Sequence, residues 1–349
     1  MPQNQDLHNS ASAAEADIIA LIDAMMQKKL REDHAHDQDA SGKPHMPRDA
    51  HPKSHGLVKA EFIVEPNLPK AYRHGVFAEA RSFAAWIRYS NGAPKPQPDK
   101  KNDVRGIAIK LMGVPGAKVM EAEKDAGTQD FLLCNHPVFF IRSVSDYSAF
   151  LTAVNGGNPL PFFIGFRPWR LRLHEAKVLV QALLKKIASP LAIRYWSQTP
   201  YNLGGTAVKY SVQPSAGYKA PADANLVPTS EPNYLRRRMA AELASGDVCL
   251  DFMVQLQSSP STMPVEDPTI LWDERYAPFK KVATIRIPRQ VFDTAELDQR
   301  AEDMSFTPWH TLPEHEPLGG INRVRRVVYE SISRLRHTVT GAPRQEPTE

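Results

Sequence analysis

The chain has 349 residues, enough for one large domain or two smaller ones with an interior that can hold a cofactor. Hydrophobic residues make up 42% and charged residues 23%, the balance of a soluble globular protein, and a net charge of +4 is too mild to argue for a nucleic-acid partner. No run approaches the roughly 20 apolar residues of a membrane span, the opening MPQNQDLHNS lacks the basic and apolar regions of a secretory signal, and two cysteines, Cys134 and Cys249, make no disulfide framework; the expectation is a cytoplasmic protein with both thiols reduced and buried.

Residues 1–45 read as an N-terminal arm and linker. Residues 14–29 predict an amphipathic helix with Ile18, Leu21, Ile22, Met25 and Met26 on one side. The polar stretch HAHDQDASGKPH follows. His34 and His36 read as part of a solvated linker, because no cysteine or carboxylate frame for a metal surrounds them. From residue 56 the pattern changes to a period of two. Strands are expected over 56–64, 82–90 and 105–111, then over 207–212, 248–256 and 282–287. Strands joined by loops, without regular alternation with helices, predict an antiparallel sheet or barrel. Helices are expected over 174–188 and 322–337. These segments predict an α+β fold, with residues 341–349 expected to be a disordered tail.

The helix over 322–337 places Val324, Val328, Ile332 and Leu335 on one stripe against the core. Arg325, Tyr329 and Arg336, spaced by four and seven, share an adjacent face. A phenol, ordinarily protonated at neutral pH, becomes a phenolate when ferric iron and a guanidinium stabilise the anion, and tyrosinate is an axial ligand of haem iron. Arg325 is placed to hold that oxygen and Arg336 to pair with a haem propionate. The plainer alternative is an arginine-rich helix end with a half-buried tyrosine.

Four more elements bear on that choice: Arg48-Asp49-Ala50-His51, Arg88-Tyr89-Ser90, Asp103-Val104-Arg105-Gly106 and Asn135-His136-Pro137-Val138-Phe139-Phe140-Ile141-Arg142. With Arg325, Tyr329 and Arg336 they follow the order of the motifs in the haem catalases, and over about residues 46–340 the chain resembles that superfamily. It is most similar to the small catalase-related haem proteins of bacteria, which Phe306-Thr307-Pro308-Trp309 and the run 317–323 fit well. The helical domain that follows the tyrosine helix in ordinary catalases is largely missing, as are a histidine behind the proximal arginine and a convincing NADPH-binding set.

The resemblance implies an antiparallel β-barrel with C-terminal helices around a buried haem b (iron protoporphyrin IX). Tyr329 would be the metal ligand, backed by Arg325. His51 would be the distal acid–base, its tautomer fixed by Ser90, and Asn135 would donate a hydrogen bond to the peroxide. Ser90, Arg88 and Trp86 share a strand face. Arg48, Arg88 and Arg336 would neutralise the propionates, while Phe139, Phe140 and Tyr147 wall the distal side. His55 competes with His51, which the spacing from Arg48 favours. His136 reads as a loop or core histidine, and Asp103 with Arg105 as a salt bridge at a strand start.

The activity implied is a haem hydroperoxidase acting on hydrogen peroxide or organic hydroperoxides. A ferryl intermediate would form on Fe(III)–tyrosinate haem and be reduced by a second peroxide or a small-molecule donor. Two alternatives stay open: a fatty-acid hydroperoxide isomerase or lyase of the allene oxide synthase type, and a non-enzymatic haem-binding protein. The basic, apolar stretch 167–194, with Trp169, Leu171, Leu173, Val178 and Leu183, raises a peripheral membrane contact as a partner beside a packed amphipathic helix. A homo-oligomer is the other partner expectation, by analogy alone.

Overall fold

The computed structural model describes residues 10–38, 42–166, 169–219, 228–342, 344, 346 and 347. His34 and His36 fall within them, while residues 39–41 of the linker lie outside. The strands are β1 (Ser54–Val64), β2 (Ser82–Asn91), β3 (Arg105–Met112), β4 (Thr128–Cys134), β5 (Ile164–Phe166), β6 (Trp169–Leu171), β7 (Tyr195–Trp196), β8 (Tyr201–Leu203), β9 (Thr206–Pro214), β10 (Val248–Leu256) and β11 (Lys280–Ile287). The helices are α1 (Ala13–Asp33), α2 (Val144–Asn155), α3 (Leu160–Phe163), α4 (Leu173–Leu183), α5 (Tyr234–Ser245), α6 (Ala295–Asp303) and α7 (Gly320–Thr340).

A nine-stranded antiparallel sheet runs β10-β11-β1-β2-β3-β4-β7-β9-β8, and a further pairing of β9 with β10 closes it into a barrel with β8 outside the ring. This is the α+β barrel that the period-two segments predict, and all six expected strands are present. The strong alternation explains the closure. Phe83, Ala85, Ile87 and Tyr89 of β2 and Ile107, Ile109 and Leu111 of β3 join one interior core with Phe62, Phe131, Tyr210 and Phe252. Their neighbours Trp86, Arg88 and Ser90 therefore face outward, and Trp86 packs there with Leu57, Met112, Ala301 and Met304.

Helices α1, α2 and α7 form a layer beside the barrel. Val324, Val328 and Ile332 of α7 are buried with Ile19, Ile22 and Leu30 of α1, Met46 and Val144, and Leu335 packs at the margin. The N-terminal arm is thus part of the packed structure. Of the face expected, Ile22 is buried and Ile18 and Met26 pack against the same cluster, while Leu21 is exposed and Ile19 and Leu30 join the inner positions. Ser12 caps α1, and Arg323 of α7 holds Glu15 at 2.8 Å. Helix α4 stops at Leu183 rather than continuing to 188, because Ile187 packs on Tyr234 and Leu235 and its carbonyl accepts from Tyr234 Oη at 2.8 Å. Within the tail, Glu346 pairs with Lys110 at 2.6 Å on the barrel's outer face and Arg344 with Glu123.

A cavity between the barrel and the helical layer

A cavity of about 290 Å³ lies between the outer faces of β2, β3 and β4 and helix α7. One water needs roughly 10–15 Å³ by the same measure, so the space suits a ligand far larger than a peroxide. It collects His51, Ser90, Arg48, Arg88, Phe139, Tyr147, Arg325, Tyr329 and Arg336 in its walls. These are nine of the eleven side chains expected around the haem; Asn135 and Phe140 are the two that do not line it.

On the barrel side, His51 Nδ1 lies 2.9 Å from Ser90 Oγ. Ser54 and Gly56 of β1 pair across a bulge with Ser90 and Tyr89, which brings the preceding loop back over β2. His51 itself has φ 60°, in the left-handed region that a histidine rarely adopts. Its ring can rest on β3 because residue 106 is glycine: a Cβ there would stand 2.6 Å from both Cε1 and Nδ1. Burial, then the charges of Arg88, Arg325 and Arg48, push the imidazole pKa down to about 3, so His51 is neutral at physiological pH.

Asn135 is not in the cavity wall. Its Oδ1 accepts from the Arg105 backbone N–H at 2.8 Å, and its carbonyl accepts from Lys185. Cys134, the last residue of β4, takes the outward position instead and sets Sγ 3.9 Å from His51 Nε2. Alternation along a strand makes the two neighbours exclusive choices. Burial raises the thiol to about 11, so it stays protonated. His55 is settled away from the cavity, buried with Nε2 2.7 Å from Asn91 Oδ1. His136 is buried with neither ring nitrogen bonded, as a core histidine. Asp103 and Arg105 pair at 3.5 Å at the start of β3. Phe140 packs against Phe139 with its ring tilted rather than lining the space.

On the helix side, Arg325 Nη2 lies 3.4 Å from Tyr329 Oη, and Nη1 is held by Thr199 Oγ1 at 3.2 Å and Asn322 Oδ1 at 3.1 Å. Burial opposes the Arg325 charge, but Tyr329 and Tyr201 hold its pKa above the ordinary guanidinium value. Thr199 and Asn322 thus do the positioning for which no histidine was evident in the sequence.

At the third edge, Arg48, Arg88 and Arg336 converge on the single carboxylate of Glu302 in α6, at 3.0, 3.7 and 3.5 Å. Three cations face one anion, and Arg88 Nε is buried without a partner. Burial, then the charge of Arg48, pulls Arg88 and Arg336 down to about 9. Burial opposes ionisation of Glu302, yet the three guanidiniums hold it below the ordinary carboxylate value. This edge has room electrostatically for further negative charge.

No family model matches the sequence. A catalase-related peroxidase of Mycolicibacterium paratuberculosis is 27% identical over 286 residues, which cover 77% of this chain and 83% of that protein. A catalase of an Onchocerca volvulus endobacterium is 24% identical over 333 residues, covering 89% of this chain and 64% of that one. Among solved structures, a fungal catalase superposes with a TM-score of 0.65 at 18% identity and a bacterial catalase with 0.65 at 17%, over 85% and 92% of this chain. Catalase A from Saccharomyces cerevisiae gives 0.63 at 17% identity, over 85%. The chain spans 61% to 64% of the length of these solved catalases.

Proposed function

This chain is a relative of the haem catalases in sequence and in fold, and from that premise we propose that it is an oxidoreductase of the catalase and peroxidase type that binds haem b in the cavity and reduces hydroperoxides. One observation carries the reading: Arg325 and Tyr329 face the cavity from α7, His51 and Ser90 face it from the barrel, and an unbalanced arginine cluster closes one edge. This donor set suits haem: an anion-capable oxygen for iron, cations for two propionates and apolar walls for the macrocycle.

Tyr329 Oη would hold the iron with Arg325 stabilising its negative charge. Arg48, Arg88 and Arg336 would hold the propionates, and the orphaned Arg88 Nε gains an acceptor there. Phe139, Tyr147, Val324, Val328 and Ile332 would pack on the ring faces. When bound, the haem supplies redox chemistry at the peroxide O–O bond.

His51 is kept neutral, so it can take the proton from an incoming hydroperoxide and return it to the departing oxygen. With Nδ1–H donating to Ser90 Oγ, Nε2 keeps its lone pair toward the cavity. The donor position expected of Asn135 is filled by the Cys134 S–H, a weaker hydrogen-bond donor to developing charge. Hydrogen peroxide, organic hydroperoxides and a small reducing donor are the substrates this arrangement suits.

The test is the absorption spectrum of the protein expressed with ample haem beside Tyr329→Phe. A high-spin ferric tyrosinate pattern at one haem per chain, lost in the variant, is expected. Oxygen release from hydrogen peroxide, or oxidation of an organic donor, then reports the activity. A wild-type chain that takes up no stoichiometric haem overturns the proposal.

A further inference from the structure

The described side chains of residues 160–164 and 171–184 present an apolar surface that nothing among the described residues covers. In β5 and β6, Ile164 pairs directly with Leu171, and both are exposed, at 47% and 56%. Leu160 is exposed at 60% and Leu173 at 66%. Helix α4 buries Glu175, Val178 and Ala182. Its other side carries a second stripe, Leu173, Lys177, Val180 and Leu184, at spacings of four, three and four. Leu173, Val180 and Leu184 are more than half exposed, and Lys177 is exposed with them. The remaining exposed large hydrophobics, Leu21, Leu271, Tyr276, Val291 and Val327, belong to separate parts of the chain. Of the apolar residues noted from the sequence, Val178 packs inward while Leu171 and Leu173 do not.

The surface is also electrically one-sided. From Tyr147 to Ala222 the sequence holds one acidic residue, Glu175. That carboxylate is buried and pairs with Arg142 at 3.2 Å. Lys177 on the helix and Lys186 just past its end stand exposed beside the stripe, with no ion-pair partner among the described residues. Exposed leucines beside unneutralised lysines match an anionic lipid interface, where aliphatic groups enter the acyl boundary and ammonium groups meet phosphate.

The patch connects with the cavity. Phe162, buried between the exposed Leu160 and Ile164, packs on Phe150 at 5.3 Å; Phe150 packs on Phe140 at 5.1 Å, and Phe140 on Phe139 at 5.2 Å. Phe139 lines the cavity. An unbroken run of aromatic rings therefore joins the surface to the site.

We propose that the surface formed by Leu160, Ile164, Leu171, Leu173, Val180 and Leu184 docks the protein on anionic lipid membranes, with hydroperoxides of membrane lipids as the substrate class this surface brings to the cavity. The docking stands on the surface alone; the substrate class rests on the hydroperoxidase reading. The experiment is flotation of the full-length, haem-loaded protein with phosphatidylglycerol vesicles and with phosphatidylcholine vesicles, beside V180Q/L184Q and K177E/K186E. Binding to the anionic vesicles alone, weakened at least tenfold by each double variant at unchanged haem content, is expected. A wild-type protein that stays unbound at low salt overturns docking, as does binding that both variants retain. So does a monomer–dimer shift in V180Q/L184Q without vesicle binding, which would assign the patch to a second copy of the chain. Peroxide turnover in solution is read separately, so loss of the hydroperoxidase reading leaves the flotation result standing. Docked protein that consumes hydrogen peroxide but leaves hydroperoxidised vesicle lipid intact overturns the substrate class.

Discussion

Gly106 matters because of what is absent from it. The His51 ring lies where a side chain at residue 106 would begin, and a methyl group there would also approach Ser90 Oγ to 3.0 Å. Gly106→Ala must therefore push the imidazole out and break its bond to Ser90, while Tyr329 and the arginines are untouched. A displacement near 1 Å of a catalytic group costs about 100-fold in rate. Turnover of hydroperoxide should fall by about that factor with the haem spectrum and stoichiometry preserved. A variant with wild-type turnover would show that His51 does not act at this site. The same scale shows what one sequence makes legible. The spacing of Arg48 from His51 and the shared face of Arg88 and Ser90 survive folding because both are set within a few residues. Whether Cys134 or Asn135 faces the cavity depends on where β4 ends, which the run of residues itself does not mark.

Helix α6 shows the limit at the next scale. Its sequence AELDQRAED has little apolar periodicity, and only Ala301 is buried, so no helix is expected there. Yet it carries Glu302, the one carboxylate that holds three arginines together. Strands β2, β3 and β10 announce themselves by strict alternation, whereas α6 is formed by an N-cap at Thr294 and by contact with β1. Glu302→Gln tests what the cluster is for. Breaking a fully buried pair costs about 3–5 kcal/mol; the Glu302 side chain is 28% exposed, so a loss nearer about 2 kcal/mol is expected in the haem-free protein. Haem propionates would restore the missing negative charge. Thermal unfolding should therefore show a larger stabilisation by haem in the variant than in the wild type. Equal destabilisation with and without haem would mean that the arginines face no anionic edge of the ligand.

At the scale of the whole molecule, burial holds four of the described histidines as neutral rings, and this bears on how the fold responds to acid. Burial lowers His55 and His136 to about 4 and His51 and His315 to about 3. In the unfolded chain each takes up its proton near pH 6.5. Between that pH and the folded values the unfolded state binds more protons, so stability is full above 6.5 and falls as pH drops. Asp49, Asp103, Asp130 and Glu242 work the other way: burial raises each of them, Asp130 to about 6, so the folded state gains those protons first. The carboxylates of Glu123, Glu302 and Glu346, held low by neighbouring cations, act in the same direction as the histidines. His136 isolates the effect, since neither of its nitrogens has a partner to lose. Burial is the first cause of its shift and the charge of Lys185 the second. His136→Leu removes one titrating ring and should flatten the decline between pH 6.5 and about 4 by up to about 1.4 kcal/mol per pH unit. Urea midpoints at pH 7, 6, 5 and 4.5 measure this. Parallel curves for the variant and the wild type would mean that His136 is already charged in the fold, and that the core around it is wetter than its 5% exposure implies.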